Sequence, residues 1–376
     1  MKIVIAPDSY KESLTAMEVA CAIENGFKQI FSNAEYVKLP MADGGEGTVQ
    51  SMVDATNGSV IKCDVTGPMG ETVSGFYGLL GDGNTVVIEM AAASGLHLVE
   101  PEKRNPLLTT TFGTGELIKA ALNNGAKHII VGIGGSATND GGIGMAQALG
   151  ARLLDSNGEE LGYGGGELAR LTTIDLSGLD VRLRNVRLEV ACDVDNPLCG
   201  PKGASHIFGP QKGATPEMVN TLDSNLAHYA EIIKTQVGSD IKNCAGAGAA
   251  GGLGAALIGL LNAELRPGID IVMDEINLSE IVKDADLVIT GEGRIDSQTV
   301  HGKTPIGVAR TAKQYNLPVI GIAGCLADDC AIVHDHGIDV VFSVVNAAVD
   351  LPTALAQAQA NLELTSRNIA ALYQLK

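Results

Sequence analysis

Segments of strand and helix character alternate at both ends of the chain, and this alternation constrains the fold more than any other feature. At the start, the apolar run at residues 2–6 predicts a buried strand, and residues 14–31 place apolar side chains at helical spacing. A second strand is predicted at residues 34–41, and a second helix at residues 48–58, which end in a glycine. The chain therefore begins strand, helix, strand, helix.

The end of the chain repeats this order. Strands are predicted at residues 285–290, 317–324 and 337–346, with a helix at residues 305–316 and a long Ala/Leu-rich helix at residues 351–376. Alternation of this kind indicates parallel strands that are joined by right-handed crossovers.

The middle of the chain has a different character. Residues 60–96 alternate strand-like runs with Gly-containing turns, which is typical of antiparallel hairpins, and residues 183–200 contain a further strand. We predict an α/β protein whose flavodoxin-like parallel sheet, of strand order 2-1-3-4-5, is split in sequence by an inserted α+β domain with an antiparallel or mixed sheet. The predicted boundaries are residues 1–60 plus 275–376 for the first domain and residues 61–274 for the second.

Three polar segments follow the first three strands of this predicted sheet, at residues 7–13, 42–48 and 291–297. In an open parallel sheet, ligands bind beyond the carboxyl ends of the strands, where the strand order reverses. That point lies between the first and third strands. We therefore expect the three segments to share one edge of the sheet, facing the inserted domain.

The segment TGEGRIDSQTVHGKTP, residues 290–305, ends like a P-loop in Gly302-Lys303-Thr304. A P-loop also needs a glycine five residues before its Gly-Lys pair, directly after the strand. Ser297 occupies that position and would resist the positive φ that lets backbone N–H groups wrap a phosphate. A P-loop is therefore rejected, and the charge in this segment is assigned to the sheet edge.

The charge of the chain restricts its partners. A net charge of −18 and a pI near 4.7 argue against nucleic acid and anionic membranes, which require a basic face. A small anionic ligand needs only a local cluster of cations and helix N-termini. Residues 244–261 lack charge but are mostly Gly and Ala, which disfavours a membrane span.

Cysteine usage favours the cytoplasm. The seven cysteines are scattered without zinc-site spacing, so reduced thiols are expected. The apolar run at the start is too short for a signal peptide.

The first polar segment contains Asp8, Ser9 and Lys11. Ser9 or Ser13 could serve as a helix N-cap. Lys11 is harder to explain structurally, because the helix dipole disfavours a cation near a helix start unless an anion also binds there. The segment is therefore a candidate substrate or phosphate site.

The second segment, ADGGEGT, places Asp43 and Glu46 on either side of Gly44 and Gly45. The glycine pair permits a tight turn and close approach of a ligand. Two carboxylates at this spacing could hold Mg²⁺, and a plain turn with a capping acid is the alternative.

A Gly-rich loop follows a predicted strand in residues 127–150 and opens a helix. Free N–H groups and the helix dipole make such a loop a good anion site. The candidate ligand-binding residues are Gly134, Gly135, Ser136, Asn139 and Asp140. A structural turn is the alternative, and a dinucleotide fingerprint is disfavoured because no acidic residue clearly ends the following strand.

Residues 191–215 form a long polar segment after a strand, with Asp193 and Asp195 followed by Lys202 and Lys212. Acids with nearby lysines suit phosphate plus metal, whereas a solvated irregular loop is the alternative.

Other features are weaker signals. Residues 245–257, AGAGAAGGLGAAL, are interpreted as a closely packed helix of small residues, with a ligand-facing loop as the alternative, because no strand precedes their G-x-G-x-x-G pattern. His301 and Lys303 could be ordinary residues at a helix start, and His334 and His336 are too isolated to predict a metal site.

Taken together, six motifs resemble the type I glycerate kinase family, including its bacterial glycerate 2-kinases. These motifs occur in order along essentially the whole chain: PDSYKESLTA, LPMADGGEGT, GIGGSATNDGGIGMAQALG, CDVDNPLCGPKGA, FGPQKGA and TGEGRIDSQTVHGKTP. The resemblance implies a split α/β domain with an inserted second domain. It also implies ATP-dependent phosphorylation of D-glycerate with Mg²⁺, with the 2-phosphate as the favoured product.

We expect the active site in the cleft between the two predicted domains. Lys11 and Arg294 are expected to clamp the glycerate carboxylate or the γ-phosphoryl group, and Asp43 and Asp193 are catalytic candidates, with Asp193 favoured as base. The remaining expected roles fall into two groups: substrate or phosphate binding by Asp8, Ser9, Gly44, Gly45, Gly134, Gly135, Ser136, Asn139, Asp140 and Lys303, and Mg²⁺ binding by Glu46, Asp195, Glu292 and Asp296.

Two other functions stay open at this point. The G-x-G patterns would suit a nicotinamide-dependent hydroxy-acid dehydrogenase, and the flavodoxin-like sheet would suit a non-enzymatic small-molecule sensor. The sequence leaves homo-oligomer formation undecided.

Overall fold

A computed structural model describes Met1 to Leu375 of the chain. The chain divides into two compact units. Unit 1 comprises Met1–Asp43, Gln50–Asn57 and the chain from Ile269 onward, and unit 2 comprises Gly44–Val49 and Gly58–Gly268. The units resemble the two predicted domains, but whether each folds independently within the predicted boundaries stays a prediction.

The regular elements of both units are numbered here in chain order. The strands are β1 Lys2–Pro7, β2 Glu35–Lys38, β3 Ser59–Thr66, β4 Thr72–Leu79, β5 Thr85–Glu89, β6 His128–Gly132, β7 Arg152–Leu154, β8 Thr173–Asp175, β9 Arg187–Ala191, β10 Glu264–Arg266, β11 Leu287–Ile295, β12 Val319–Leu326 and β13 Val340–Ser343. The helices are α1 Ala16–Lys28, α2 Thr48–Thr56, α3 Ala91–Ser94, α4 Phe112–Asn123, α5 Ile143–Ala148, α6 Ala204–Phe208, α7 Pro216–Ile232, α8 Ala249–Leu261, α9 Gly268–Glu275, α10 Leu278–Val282, α11 Thr304–Lys313, α12 Leu351–Ala356 and α13 Ala358–Gln374.

Unit 1 is built on a five-stranded sheet of order β13-β12-β11-β1-β2, in which all neighbouring strands are parallel. Numbered within the sheet, this is the predicted order 2-1-3-4-5, so the flavodoxin-like prediction is confirmed. The central pair is β1 and β11, aligned from Ile3 opposite Leu287 to Pro7 opposite Gly291. Over these paired residues both strands are almost entirely apolar and buried, as expected of a parallel sheet covered on both faces.

Helix α1 begins later than the polar segment suggested. Its N-cap is Thr15, whose hydroxyl accepts a hydrogen bond from the Glu18 N–H while the Glu18 carboxylate accepts one from the Thr15 N–H. This reciprocal capping box satisfies two donors at the helix start. The predicted N-cap roles of Ser9 and Ser13 are therefore wrong, and Lys11 lies in a turn before the helix rather than at its N-terminus.

Strand β11 is longer than predicted. The apolar run ends at Thr290, but the strand continues to Ile295 because β12 remains paired with it, from Gly291 opposite Ile322 to Ile295 opposite Leu326. Glu292 and Arg294 therefore project from the strand itself rather than from a loop. Beyond Gly291 the strand has lost β1 as a neighbour, and polar side chains are tolerated there.

Unit 2 contains a six-stranded mixed sheet of order β10-β9-β6-β5-β4-β3 and a small antiparallel pair of β7 with β8. The pairs β3–β4 and β4–β5 are antiparallel, as the hairpin pattern predicted. The remaining pairs, β5–β6, β6–β9 and β9–β10, are parallel. The prediction of an inserted α+β region with a mixed sheet is therefore confirmed.

Two helical segments contain breaks. Helix α8, in the small-residue stretch, has left-handed backbone at Ala250, Gly251 and Gly252, so it is kinked rather than continuous. The predicted last helix is divided into α12 and α13 at Gln357, whose φ of −95° and ψ of 1° interrupt the helical backbone, and its final residue lies outside the described part. Within residues 1–375, no helix combines the length and apolar character needed to cross a bilayer.

Because α1 packs closely on α13, an alanine at Gly26 in α1 should destabilise the protein more than an alanine at Gly307 in α11. A Cβ added to Gly26 in α1 would lie 2.4 Å from the Glu363 backbone oxygen, which cannot move without shifting α13. We expect Gly26→Ala to lower the free energy of unfolding by about 1–3 kcal/mol, as overpacking does, despite the better helix propensity of Ala. Urea denaturation monitored by circular dichroism measures the change.

Gly307→Ala in α11 is the matched control. Its Cβ would meet the Ile269 side chain at 2.5 Å, and a side-chain atom can rotate away more easily than a backbone atom. Equal losses in the two variants would contradict the argument.

Candidate active site

Three carboxylates of unit 1 lie on, or follow, three neighbouring strands of its sheet. Asp8 follows β1, Asp43 follows β2, and Glu292 lies on β11. The Asp8 carboxylate accepts hydrogen bonds from the Ser9 N–H at 2.6 Å and from the Thr304 hydroxyl at 2.8 Å. Thr304 is the first residue of α11, so Asp8 is held at the positive end of a helix dipole.

Burial and repulsion from neighbouring carboxylates raise the pKa values of Asp8 and Glu292. Burial and the neighbouring Asp43 charge raise the pKa of Asp8 to about 6, and Glu292 adds to the effect. Burial also raises the pKa of Glu292, although the Thr299 hydroxyl and Lys303 stabilise its charged form. Buried like charges of this kind are costly for stability and are typical of sites that handle cations or protons.

Three basic residues lie on the segments that carry these acids or beside them. The turn that contains Lys11 passes over β11, where a Cβ on Gly293 would lie 3.6 Å from the backbone of Lys11, and the Lys11 side chain is exposed. Arg294 is also exposed, and its Nε lies 3.2 Å from Asp296. Lys303 is the N-cap residue of α11, and its Nζ lies 3.2 Å from a carboxylate oxygen of Glu292.

In unit 2, a buried carboxylate that the sequence interpretation missed organises the ADGGEGT loop. Glu89 ends β5 and accepts a hydrogen bond from the Val49 N–H at 2.8 Å, at the start of α2. Burial raises the pKa of Glu89 although these N–H groups favour its charged form, and the exposed Glu46 raises it further. The only sequence signal for Glu89 was an acid at the end of a strand, which is too common to single out.

The predicted Gly-rich anion loop packs against the ADGGEGT loop. Gly44 has φ of +94°, and a Cβ on Gly132 would lie 2.6 Å from the Gly44 backbone oxygen. A Cβ on Gly134 would lie 3.5 Å from Gly45 Cα. The two glycine segments therefore approach each other more closely than larger residues would allow.

The members of the Gly-rich loop differ in accessibility. Gly134 and Gly135 are exposed, and Ser136 lies just below the surface, at 7% exposure. Asn139 and Asp140 are fully buried. The loop therefore has an exposed turn at Gly134 and Gly135 and a buried part at Asn139 and Asp140.

Asp140 supports the loop from within. Its oxygens accept hydrogen bonds from the Thr111 N–H and hydroxyl, both at 2.8 Å, and from the Gly142 N–H at 3.0 Å. The Asn139 amide nitrogen donates to the Ser205 hydroxyl at 3.0 Å. Burial and these internal bonds direct both side chains into unit 2, and whether Asn139 or Asp140 contacts substrate stays a prediction.

Lys212, one of the lysines of the polar segment at residues 191–215, lies buried beneath the Gly-rich loop. It is 1% exposed, and its Nζ donates to the Ser136 hydroxyl oxygen at 2.7 Å and to the Thr138 backbone oxygen at 2.6 Å. Burial lowers the pKa of Lys212 to about 7, although the Asp140 charge opposes this shift. The sequence interpretation of residues 191–215 left a phosphate-binding segment and a solvated loop as alternatives, and neither predicts a fully buried lysine.

The remaining acidic candidates are exposed. Asp193 and Asp195 follow β9, and the Asp193 carboxylate accepts a hydrogen bond from the Gly268 N–H at 3.0 Å. This bond fixes Asp193 between β9 and the start of α9, both at the carboxyl end of the parallel part of the sheet. Asp195 lies in the exposed segment that follows.

Each unit therefore gathers acids, cations and glycine turns at the carboxyl ends of its parallel strands. Phosphoryl transfer needs this combination: cations for the phosphate oxygens, carboxylates for a metal or a proton, and backbone N–H groups that can approach an anion.

The raised pKa of Asp8 predicts a pH-dependent gain in stability for Asp8→Asn. Between its ordinary value and about pH 6, folded Asp8 binds more protons than unfolded Asp8, so its contribution to stability falls as pH rises through this window. Asn keeps the shape without the charge. We expect the Tm of Asp8→Asn, relative to the unsubstituted protein, to be higher at pH 8 than at pH 5, measured with a chelator present.

Asp350→Asn is the matched control, because the exposed Asp350 caps α12 and its bond to Thr353 lowers its pKa. That variant should show no relative gain at pH 8. A Tm difference for Asp8→Asn that does not change with pH would contradict the interpretation of Asp8 as a buried acid with a raised pKa.

Known proteins match this chain over almost its whole length. The model of the family described as "Glycerate kinase family" matches residues 3–374. The chain is 64% identical to a glycerate kinase of Bacillus subtilis strain 168 over 375 residues, which covers 100% of this chain and 98% of that protein. It is 62% identical to a glycerate 2-kinase of Escherichia coli K12 over 371 residues, which covers 99% and 97% of the two chains.

A solved structure gives the same result. The crystal structure of a protein described as glycerate kinase 2, from Salmonella typhimurium LT2, superposes with a TM-score of 0.93 at 58% identity, covering 100% of this chain and 98% of that one. The dehydrogenase and sensor alternatives find no support in these matches. The resemblance seen in six sequence motifs is confirmed: the chain belongs to the glycerate kinase family.

Proposed function

We propose that this protein transfers the γ-phosphoryl group of ATP to a hydroxyl group of glycerate. One observation carries the proposal: relatives named as glycerate kinases are 55–64% identical to this chain over nearly their full length. The clusters of carboxylates, cations and glycine turns in each unit are consistent with that chemistry.

We propose D-glycerate as acceptor and its 2-hydroxyl group as the attacking group. The E. coli relative at 62% identity is named a glycerate 2-kinase, which supports the choice of hydroxyl. We further propose a cytoplasmic location.

Arg294 and Lys11 are proposed as the cations that hold the glycerate carboxylate or the γ-phosphoryl group. Both side chains are exposed near the carboxyl end of β11 and are therefore accessible to a ligand. Arg294 suits a two-point contact with an oxyanion better than Lys11, because its guanidinium group is planar and presents parallel N–H donors. Asp296, which lies beside Arg294, would orient it.

Asp193 and Asp8 are the two proposed candidates for the base that takes the hydroxyl proton. Asp193 is exposed and fixed by the Gly268 N–H. Asp8 has a pKa raised to about 6, close to the physiological range, which favours proton transfer near neutral pH. Asp43 would act by raising the basicity of Asp8.

Mg²⁺ is proposed as the metal, and the residues of unit 1 fit it chemically. Asp8, Asp43 and Glu292 are neighbouring carboxylates whose mutual repulsion a divalent cation would relieve, and Mg²⁺ binds through one or two carboxylates plus phosphate oxygens and waters. When bound, Mg²⁺ would neutralise charge on the phosphate groups of ATP. Glu46, Asp195 and Asp296 stay further candidate ligands.

The proposed anion contacts in unit 2 are the exposed turn of Gly134 and Gly135, with Ser136 beside it. Gly44 and Gly45 lie beside this turn, and their backbone is proposed to contact the ligand. In unit 1, Ser9 and Lys303 are proposed to complete the ligand-binding set near Asp8 and Glu292.

Phosphorus NMR of a reaction with D-glycerate, ATP and Mg²⁺ tests the activity and the attacked hydroxyl together. We expect ADP and a phosphomonoester signal split by one proton, as the 2-phosphate requires. A signal split by two protons would instead identify the 3-phosphate. ATP consumption that does not depend on glycerate would contradict the proposed function.

Arg294→Ala should reduce the rate of glycerate phosphorylation by at least ~10³-fold, because cationic clamps contribute about 10³–10⁵-fold in phosphoryl transfer. Its fold should be unchanged, since the Arg294 side chain is 64% exposed. A coupled ADP assay and thermal unfolding measure the two effects.

Arg310→Ala is the matched control for this variant. Arg310 is a similarly exposed arginine that pairs with Asp270 on the same unit. We expect it to retain normal turnover. Near-normal turnover of folded Arg294→Ala would remove Arg294 from the mechanism.

A further inference from the structure

Lys212 occupies an unusual position for a lysine. It ends a short 3-10 helical turn at Pro210–Lys212 and is 1% exposed. Burying an ammonium group is costly unless it is hydrogen-bonded, and lysine is rarely buried without a charged partner. Here its two bonded acceptors are neutral: the Ser136 hydroxyl oxygen and the Thr138 backbone oxygen.

The first of these bonds has a consequence for Ser136. A hydroxyl group has one proton to donate and lone pairs to accept with. Because Ser136 Oγ accepts from Lys212 Nζ at 2.7 Å, its own proton remains available for another acceptor. A hydroxyl that accepts from a cation is also a stronger donor, because hydrogen bonds polarise one another in a chain.

Ser136 lies directly beside the exposed part of the loop. Gly134 and Gly135 precede it at the surface, and Gly135 has φ of +71°, a left-handed conformation. Successive backbone N–H groups around such a residue can form a concave anion-binding nest. The Ser136 hydroxyl would add a side-chain donor to the same turn.

The second bond fixes the base of the loop. Thr138 oxygen accepts from Lys212 at 2.6 Å, and a Cβ on Gly251 would lie only 2.0 Å from that same oxygen. Gly251 is one of the left-handed residues in the kink of α8. Lys212 therefore joins the surface turn to the rigid interior of unit 2.

We propose that Lys212 is a positioning residue: it holds Ser136 Oγ as an acceptor, so that the Ser136 proton is donated to an oxyanion bound at the turn Gly134-Gly135-Ser136. The inference rests on the proposed function for the identity of the ligand. The oxyanion is either a phosphate of the nucleotide or the carboxylate of glycerate, which present the same chemistry to this turn.

The low pKa of Lys212, about 7, is consistent with this arrangement. Burial disfavours its charge, and Asp140 favours it. The Asp140 carboxylate itself accepts hydrogen bonds from the N–H groups of Thr111, Gly142 and Gly144 in the interior of unit 2. A negative ligand at the turn would help to keep Lys212 protonated.

A double-mutant cycle on binding tests the proposal. The variants are Lys212→Met, which removes the donor at similar length, Ser136→Ala, and the two combined. Calorimetry measures the Kd of ATP–Mg²⁺ and of glycerate separately. We expect each single variant to raise the Kd of one of the two ligands by about 10–100-fold, the range for loss of a hydrogen bond to a charged group.

The double variant is the decisive measurement. If Lys212 acts through Ser136, the double variant should bind no more weakly than Ser136→Ala alone, because the pathway is already broken. Weaker ATP binding would identify the oxyanion as phosphate, and weaker glycerate binding would identify it as carboxylate. Effects of the two substitutions that multiply independently would overturn the proposal.

Two controls separate positioning from simple structural support. Ser136→Thr restores the hydroxyl group and should recover most of the binding that Ser136→Ala loses. Lys234→Met removes an exposed lysine of unit 2 that pairs with Asp240, and should leave both Kd values unchanged. A loss of Tm in Lys212→Met with both Kd values unchanged would show that Lys212 only stabilises the loop.

The test remains decisive in two adverse cases. If Lys212→Met fails to fold, Ser136→Ala alone decides, since unchanged Kd values for both ligands would sink the proposal. If the unsubstituted protein binds ATP but shows no glycerate-dependent turnover, the proposed function fails while the ATP measurements still report on Lys212.

Discussion

The parallel pairing of β1 with β11 is the constraint on which unit 1 depends. It joins Ile3 to Leu287 and Pro7 to Gly291 across nearly three hundred residues of chain. The Ala6 backbone oxygen also accepts a hydrogen bond from the buried Thr290 hydroxyl at 2.8 Å, which strengthens the pair near its carboxyl end. Without this pairing, the segments that carry Asp8 and Glu292 would have no common edge.

The consequences of the pairing are electrostatic as well as geometric. Where the two strands end, acids that are distant in sequence become neighbours, and burial then raises the pKa values of Asp8 and Glu292. The sheet places charge where charge is unfavourable for folding. Such local conflicts with stability are common at functional sites, because the same crowding that is costly in the free protein favours binding of cations and protons.

Much of this could be predicted from the sequence, for identifiable reasons. Strand and helix periods differ strongly, so the alternation at both chain ends gave the flavodoxin-like order, and the rule that ligands bind where strand order reverses directed attention to the segments after β1, β2 and β11. The wrong predictions concern the ends of individual elements. The end of β11 is set by its pairing with β12, and the N-cap of α1 is Thr15, which forms a reciprocal bond with Glu18, rather than Ser9 or Ser13.

Burial was the least predictable property. Glu89 and Lys212 have ordinary sequence surroundings, yet both are nearly inaccessible and bond to loops that were predicted from glycine patterns alone. A glycine pattern shows that a backbone can turn, but the residue beneath the turn comes from a distant part of the chain. Only the tertiary structure identifies it.

The division of unit 1 into separate stretches of chain has a consequence during synthesis on the ribosome. Most of unit 2, from Gly58 to Gly268, is one continuous stretch and can begin to collapse as soon as it leaves the exit tunnel. Strand β1, although made well before β11, has no central partner until β11 emerges. Strand β1 is therefore late to complete its native pairing, and its apolar side chains and unpaired backbone edge need protection from aggregation in the interval.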